Sequence, residues 1–233
     1  NVYITATTSL QYGGVAHAVL GTLMIVGLTT LITVPLGIMV AVYLTETREK
    51  PRNAVRTLVQ AMSGLPSVVS GLFVYSALIV GLGLRYGGWL GSIALIPLML
   101  PTVTRVAEEA LRLVPQELRN GALALGAPAY RAFLQVTMPA AKSGLITALI
   151  LGIARVIGET APLLLTVNYA NNTVWNIGDP MASLPTYLFQ YIGNNYDTSL
   201  QRAWGAALVV LILVAILFTA ARLVSRGKKA RKA

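Results

Sequence analysis

Five long apolar runs dominate the sequence: Ala18 to Leu44, Leu58 to Leu82, Trp89 to Val114, Ser143 to Val167 and Ala203 to Leu223. Each reaches the roughly 17 to 25 residues that carry a helix across about 30 Å of hydrocarbon. A helix is the expected form, because it satisfies every backbone polar group within the segment. Pro35, Gly37, Gly64, Pro66, Gly71, Pro97 and Pro101 would weaken long helices in water. In a membrane bundle such residues are tolerated, and glycines permit close helix contact. The expected fold class is all-α, a polytopic membrane helix bundle with five spans.

Composition removes the main competitor. Only 11% of the residues are charged, against about 25% in a typical soluble domain, too few to cover a soluble surface. The net charge of +10 would suit a nucleic-acid binder, but the mean hydropathy of +0.69 would not. A lipid bilayer is the expected partner and nucleic acid is not. With no Cys and one His, His17, neither a disulfide nor a metal site is expected. The sequence has no Gly-x4-Gly-Lys-Ser/Thr loop, so nucleotide chemistry is expected on another subunit.

The cations test the spans independently. Arg48, Lys50, Arg52 and Arg56 follow the first run; Arg112, Arg119, Arg131 and Lys142 follow the third; Arg222, Arg226, Lys228, Lys229, Arg231 and Lys232 follow the fifth. The alternate loops hold only Arg85 and Arg202. Cations concentrate on cytosolic loops, so the N-terminus of this fragment is expected outside and the C-terminus in the cytosol. An external start without a signal peptide leads to the expectation of at least one further N-terminal span in the natural gene product.

Arg105 and Arg155 are left inside the runs. An ionisable residue at membrane depth ordinarily faces a cavity, a partner or a pathway. Lys142 to Arg155 covers ~20 Å of helix, which places Arg155 deep. Glu159, four residues on, is expected on the same helical face. Two readings follow. The charges neutralise one another locally, Arg155 with Glu159 and Arg105 with Glu108 or Glu109, or the arginines line a path for an anion, with Glu159 holding Arg155. A guanidinium stays protonated and donates paired hydrogen bonds that fit phosphate or carboxylate oxygens. Thr102, Thr104 and Thr160 would add hydroxyls to such a path.

Between Pro115 and Lys142 the chain is too polar to cross. Gln116 to Leu125 is expected as a short helix ended by Gly126. Pro128 then opens a second helix running until Pro139. The result is a projecting knob, or else an amphipathic hairpin on the membrane surface. Farther on, Leu184 to Ile192 is expected as a helix in the outer interface, with Trp175, Tyr187 and Tyr191 as anchors.

The knob resembles the EAA loop of type I ABC importer permeases, whose transmembrane domain is called MetI-like. That pattern is Glu-Ala-Ala, three residues, Gly, nine residues, then Ile-x-Leu-Pro. Here it reads Asn120-Gly121-Ala122, Leu123-Ala124-Leu125, Gly126, nine residues, then Val136-Thr137-Met138-Pro139. Asn120 and Gly121 depart from it, so a salt bridge from the family's Glu is not expected. The stretches Pro66 to Phe73, Arg105 to Pro115 and Ala154 to Leu163 are similar to phosphate permeases. Pro180 to Phe189 is more similar to the PstA type than to its PstC partner.

This resemblance implies a subunit of an ATP-driven phosphate importer in the bacterial plasma (inner) membrane. Its partners would be a PstC-type permease, a PstB-type ATPase dimer and a PstS-type phosphate-binding protein. ATP and Mg would sit on the ATPase, and no cofactor on this chain. The substrate path would comprise Arg105, Arg155, Glu159 and Thr160, and the coupling contact Ala122, Leu123, Ala124, Leu125, Gly126 and Ala127. The expected divisions are an outer arm (1–17), a transmembrane domain (18–223) with the coupling loop (115–142) and outer loop (168–202), and a basic tail (224–233). The alternative is a permease for another oxyanion, such as sulfate. An intramembrane enzyme would need a base, and His17 has no nearby acidic residue in sequence. A stand-alone channel would leave the knob without a use.

Overall fold

A computed structural model describes residues 14–47, 51–194 and 196–226. Most of the outer arm, Arg48, Lys50 and the end of the basic tail therefore lie outside the described residues. Among the described residues there are ten α-helices: α1 (Ala16–Glu46), α2 (Pro51–Ser63), α3 (Ser67–Val74), α4 (Gly88–Arg112), α5 (Gln116–Ala124), α6 (Ala129–Ala132), α7 (Met138–Val156), α8 (Ala161–Thr166), α9 (Leu184–Ile192) and α10 (Asp197–Arg226). A π-helical stretch, Tyr75–Val80, extends α3, and a second, Phe133–Thr137, joins α6 to α7. Among the described residues four continuous helices are long and apolar enough to cross a membrane, and α2 with the extended α3, taken as one bent pair, would be a fifth. No strand occurs among the described residues.

The helix α4 is the centre of the bundle. In its most apolar window 67% is buried, against 11% for α10. It packs on α1, α7, α3, α2 and α8. Ile25, Leu95, Met99, Val103, Val156 and Leu163 form the core where these elements meet. Apolar side chains gain little from leaving lipid for protein, so close approach and buried polar contacts hold such a bundle. Both are present. Ser92 Oγ donates to the Ile25 carbonyl at 3.0 Å and joins α4 to α1. Ser70 Oγ donates to the Ala94 carbonyl at 2.6 Å and joins α3 to α4. The Gly37 backbone lies so near Val103 that an added Cβ would stand 2.8 Å from Cγ1.

Two expected spans are broken. Leu58 to Leu82 is not one helix: the chain bends by 101° between α2 and α3, at Gly64, Leu65 and Pro66. Proline has no N–H to continue the ladder and disfavours helical backbone in the residue before it. The amphipathic α2 then lies across α4. The run Ser143 to Val167 stops as a helix at Val156, and a short break precedes α8. Pro162 in the first turn of α8 suits a new start. Non-helical backbone at membrane depth persists where protein or a water-filled cavity covers it.

Pro139, in contrast, does not end its helix. The chain is helical from Ala129 to Val156, because the π stretch before Pro139 widens the turn. Met138 N–H bonds to the Phe133 carbonyl, five residues back, which accommodates the ring that would otherwise press on the preceding turn.

The outer loop is packed rather than loose. Ser183 and Thr186 form a reciprocal capping box at the start of α9. Leu184 N–H donates to Thr22 Oγ1 of α1 at 2.8 Å. Residues Leu184 to Ile192 are helical as expected, but Tyr187 and Tyr191 are not interfacial anchors. They are 0% and 2% exposed, packed with Ala18, Ala203 and Ala206 of α1 and α10. Burial pushes the Tyr187 phenol up to about 12. Trp175 alone of the three expected anchors is open, at 76%. Arg202, expected in a loop, is buried in the first turns of α10.

Candidate functional site

The packing of α7 on α4 fixes the depth of Arg155. An added Cβ on Gly144 would fall 2.3 Å from Cβ of Ala110, and one on Gly152 2.6 Å from Cγ2 of Val103. Antiparallel continuation of that register sets Arg155 level with Leu100, the midpoint of α4. Arg105 lies five residues nearer the C-terminal end of α4, about 8 Å along the axis. The two arginines therefore stand at different levels.

Arg155 occupies the last turn of α7, and its side chain is 48% exposed. Its guanidinium is paired with Glu159, which is 12% exposed. Glu159 is not on the same helical face, because the helix has ended by then; the break folds the carboxylate back. Thr160 is the N-cap residue of α8 and makes no side-chain cap hydrogen bond. It borders an apolar groove with Gly158, Pro185, Leu188, Val210 and Val214. The same groove does not contain Arg155.

Arg105 is not paired with Glu108 or Glu109. Its Nη2 donates to Ser63 Oγ at 3.1 Å, at the end of α2. Glu108 instead accepts from Arg56 of α2 and from Arg112, the latter at 2.8 Å. Arg56, Arg105, Glu108 and Arg112 line a cavity of about 260 Å³. Thr104 is fully buried with an unpartnered hydroxyl, while Thr102 is half-buried. Sequence reasoning missed Ser63 and Arg56. The signal available was the amphipathic pattern of Pro51–Ser63, obscured because a single apolar run was drawn through its end.

The first half of the knob has its expected form. Helix α5 ends at Ala124, and Gly126 has φ +83°. Gly126 N–H bonds to the Leu123 carbonyl at 3.0 Å and Ala127 N–H to the Ala122 carbonyl at 3.1 Å. This is a Schellman ending, and glycine takes its left-handed position without steric cost. The motif turns Leu125 outward, 91% exposed, beside Leu123 at 40%. Ala124 and Gly126 are exposed too, while Ala122 and Ala127 are half-buried. Arg119 of α5 forms a bidentate pair with Glu46 at the end of α1, at 2.7 and 2.5 Å.

A bundle of apolar, membrane-length helices around α4, with a helical knob outside it, fits a membrane-embedded subunit. Residues 33–230 match the family described as "Binding-protein-dependent transport system inner membrane component", and the chain belongs to that family. A permease of such an ABC importer works with an ATPase and a binding protein.

Among its relatives is "Phosphate transport system permease protein PstA 1" of Mycobacterium tuberculosis (strain CDC 1551 / Oshkosh). It is 41% identical over 214 residues, covering 91% of this chain and 70% of the relative. "Phosphate transport system permease protein PstA" of Haemophilus influenzae is 37% identical over 221 residues, covering 94% and 78%. A solved structure of the MetNI methionine ABC transporter in an inward-facing conformation has a TM-score of 0.68 at 20% identity, covering 91% of this chain and 93% of that one. That likeness concerns the fold alone.

Proposed function

We propose that the chain is a permease subunit of an ATP-driven inorganic phosphate importer in the bacterial inner membrane. The observation that carries the reading is Arg155, a guanidinium at mid-depth with half its side chain open. Its neighbour Glu159 holds it and limits how tightly an anion is retained. Arg105, held by Ser63 about 8 Å along the axis, offers a second cationic level. Thr160 has a weaker place, since it borders an apolar groove.

The remaining roles follow the same logic. A PstC-type permease completes the pathway, a PstS-type protein delivers phosphate outside, and a PstB-type ATPase dimer binds ATP and Mg in the cytosol. Residues 18–223 form the transmembrane unit, with the external and cytosolic flanks at 1–17 and 224–233. The N-terminus of this chain is outside and its C-terminus cytosolic, as the cation distribution supports. Residues 122–127 meet the ATPase, and the exposed Leu125 supports that reading.

Reconstituted with the second permease, ATPase and binding protein, the subunit is expected to support ATP-dependent uptake of labelled phosphate. Excess unlabelled phosphate should compete, and a hundredfold excess of sulfate should not, on the order of the discrimination that hydrogen-bond readout affords. Sulfate competing as well as phosphate would move the assignment to another oxyanion.

Coupling has its own test. Gly126→Trp places a large side chain at a left-handed backbone position, with a cost of roughly 1–2 kcal/mol there. The variant should lose most ATPase co-purification and most stimulated hydrolysis. Unchanged co-purification and hydrolysis would remove the knob from the ATPase contact.

A further inference from the structure

A second cationic pocket lies at the base of the knob, away from Arg155. It has a volume of about 350 Å³ and is lined by Arg52, Arg112 and Arg119, with Glu46, Gln116 and Thr137 among the other residues. Among the described residues, three guanidinium groups thus share the pocket with one carboxylate. That carboxylate is occupied by Arg119, and Arg112 engages Glu108 outside the pocket. Arg52 has no such engagement: its Nε is buried without a hydrogen-bond partner among the described residues. Thr137, 6% exposed, also has a buried Oγ1 without a partner.

A polar group buried without a partner bears its desolvation penalty uncompensated. Two orphaned polar groups in one cationic pocket call for a ligand rich in acceptors. The start of α5 adds to them. Pro115 and Gln116 border the pocket. No side chain caps α5; its Leu118 N–H bonds to the Pro115 carbonyl at 3.3 Å, which leaves the Gln116 and Glu117 N–H groups without intrahelical partners. A helix start of this kind favours an anion.

We propose that this pocket binds a phosphate-type oxyanion, taken either from free inorganic phosphate or from the headgroup of an acidic lipid. Arg52 and Arg119 supply charge-assisted hydrogen bonds, Thr137 a hydroxyl and α5 its first amides. Glu46 sets the position of Arg119 and keeps the charge excess small. The bound group joins α2 to α5 and to the π stretch before α7, so it fixes the knob against the bundle. The location on the cytosolic face rests on the orientation proposed above, whereas the pocket itself does not.

The test uses the assembled importer in nanodiscs. In discs of phosphatidylcholine alone, equilibrium binding of radiolabelled inorganic phosphate is compared for wild type, Arg52→Gln, Thr137→Val and Arg155→Gln. Neither Arg52 Nε nor Thr137 Oγ1 has a partner to lose, and an unchanged elution profile verifies assembly. The free-anion source requires a binding component weakened about tenfold by Arg52→Gln, and by a smaller factor in Thr137→Val, that Arg155→Gln leaves in place.

In discs containing phosphatidylglycerol, native mass spectrometry measures retained lipid. The headgroup source requires retention in wild type that Arg52→Gln abolishes. If Arg52→Gln changes neither phosphate binding nor lipid retention, the proposal is overturned. Loss of phosphate uptake specificity with Arg52-dependent binding intact would overturn only the transport assignment.

Discussion

Arg155→Ala is expected to lower phosphate uptake by at least about a hundredfold while the importer still assembles. Hydrogen bonds to a charged group contribute about 1.5–3 kcal/mol each, and a planar guanidinium makes two to one oxyanion. Losing a pair of them at a step that limits passage costs about 3 kcal/mol or more, and each 1.36 kcal/mol is tenfold in rate. The alanine variant also leaves Glu159, 12% exposed, as an unbalanced carboxylate beside the path. Folding should tolerate the change, because the Arg155 side chain is 48% exposed and fills no core position.

The double variant Arg155→Ala/Glu159→Gln separates the two readings of this pair. If the pair only neutralises itself, removing both charges restores uptake. If Arg155 meets the anion, uptake stays at least about tenfold below wild type. Wild-type uptake in the single variant would sink the anion-path assignment altogether.

What the sequence makes legible here divides along the range of the interactions. Gly126 was readable because its role is local: a left-handed residue closing a short helix before Pro128. The same holds for Leu184 to Ile192, where Ser183 supplies a cap and Pro185 suits the first turn. Hydropathy located the membrane-depth segments but missed two breaks inside them, since apolarity does not distinguish a helix from a bent pair. Gly64-Leu65-Pro66 and Gly158-Glu159-Thr160-Ala161-Pro162 carried the warning in their backbone chemistry. The reverse error at Pro139 arose because a π turn upstream absorbed the proline.

Side-chain environments depended on packing that no local pattern encodes. Tyr187 and Tyr191 have the chemistry of interfacial anchors, yet α1, α9 and α10 close over them. Arg105 had acidic residues one turn away on its own helix, but α2 brought Ser63 nearer to its Nη2 and drew Glu108 to Arg56. The level of Arg155 along the bundle follows from residue counting along α7, packed on α4. Glu159 is its partner, as its position four residues on suggests, although by a fold-back rather than a shared helical face. The pocket joining Arg52 to Thr137 draws on residues 85 positions apart, which only the fold assembles.

Gly21→Val should prevent recovery of assembled protein, whereas Gly27→Ala on the same helix should leave the yield within about twofold of wild type. At Gly21 an added Cβ would stand 1.9 Å from the carbonyl oxygen of Ala182 and 3.1 Å from its carbon. A backbone carbonyl cannot rotate away as a flexible side chain would. The segment ahead of α9 must instead lift from α1, and the damage does not stay local. Thr22, the next residue, accepts the Leu184 N–H at 2.8 Å, while Ala18, one turn earlier, packs in the cluster with Tyr187. Overpacking a core typically costs 1–3 kcal/mol, roughly the scale on which a folded chain becomes marginal. Here loss of the Leu184 contact and exposure of Tyr187 would add to it. Gly27 has nothing within 4 Å of an added Cβ, so alanine there adds only its better helix propensity. Fluorescence-detected size exclusion of the two variants, beside wild type, measures the contrast. Equal monodisperse peaks for Gly21→Val and wild type would show that the segment before α9 does not rest on α1, and the packing assigned to the outer loop would have to be abandoned.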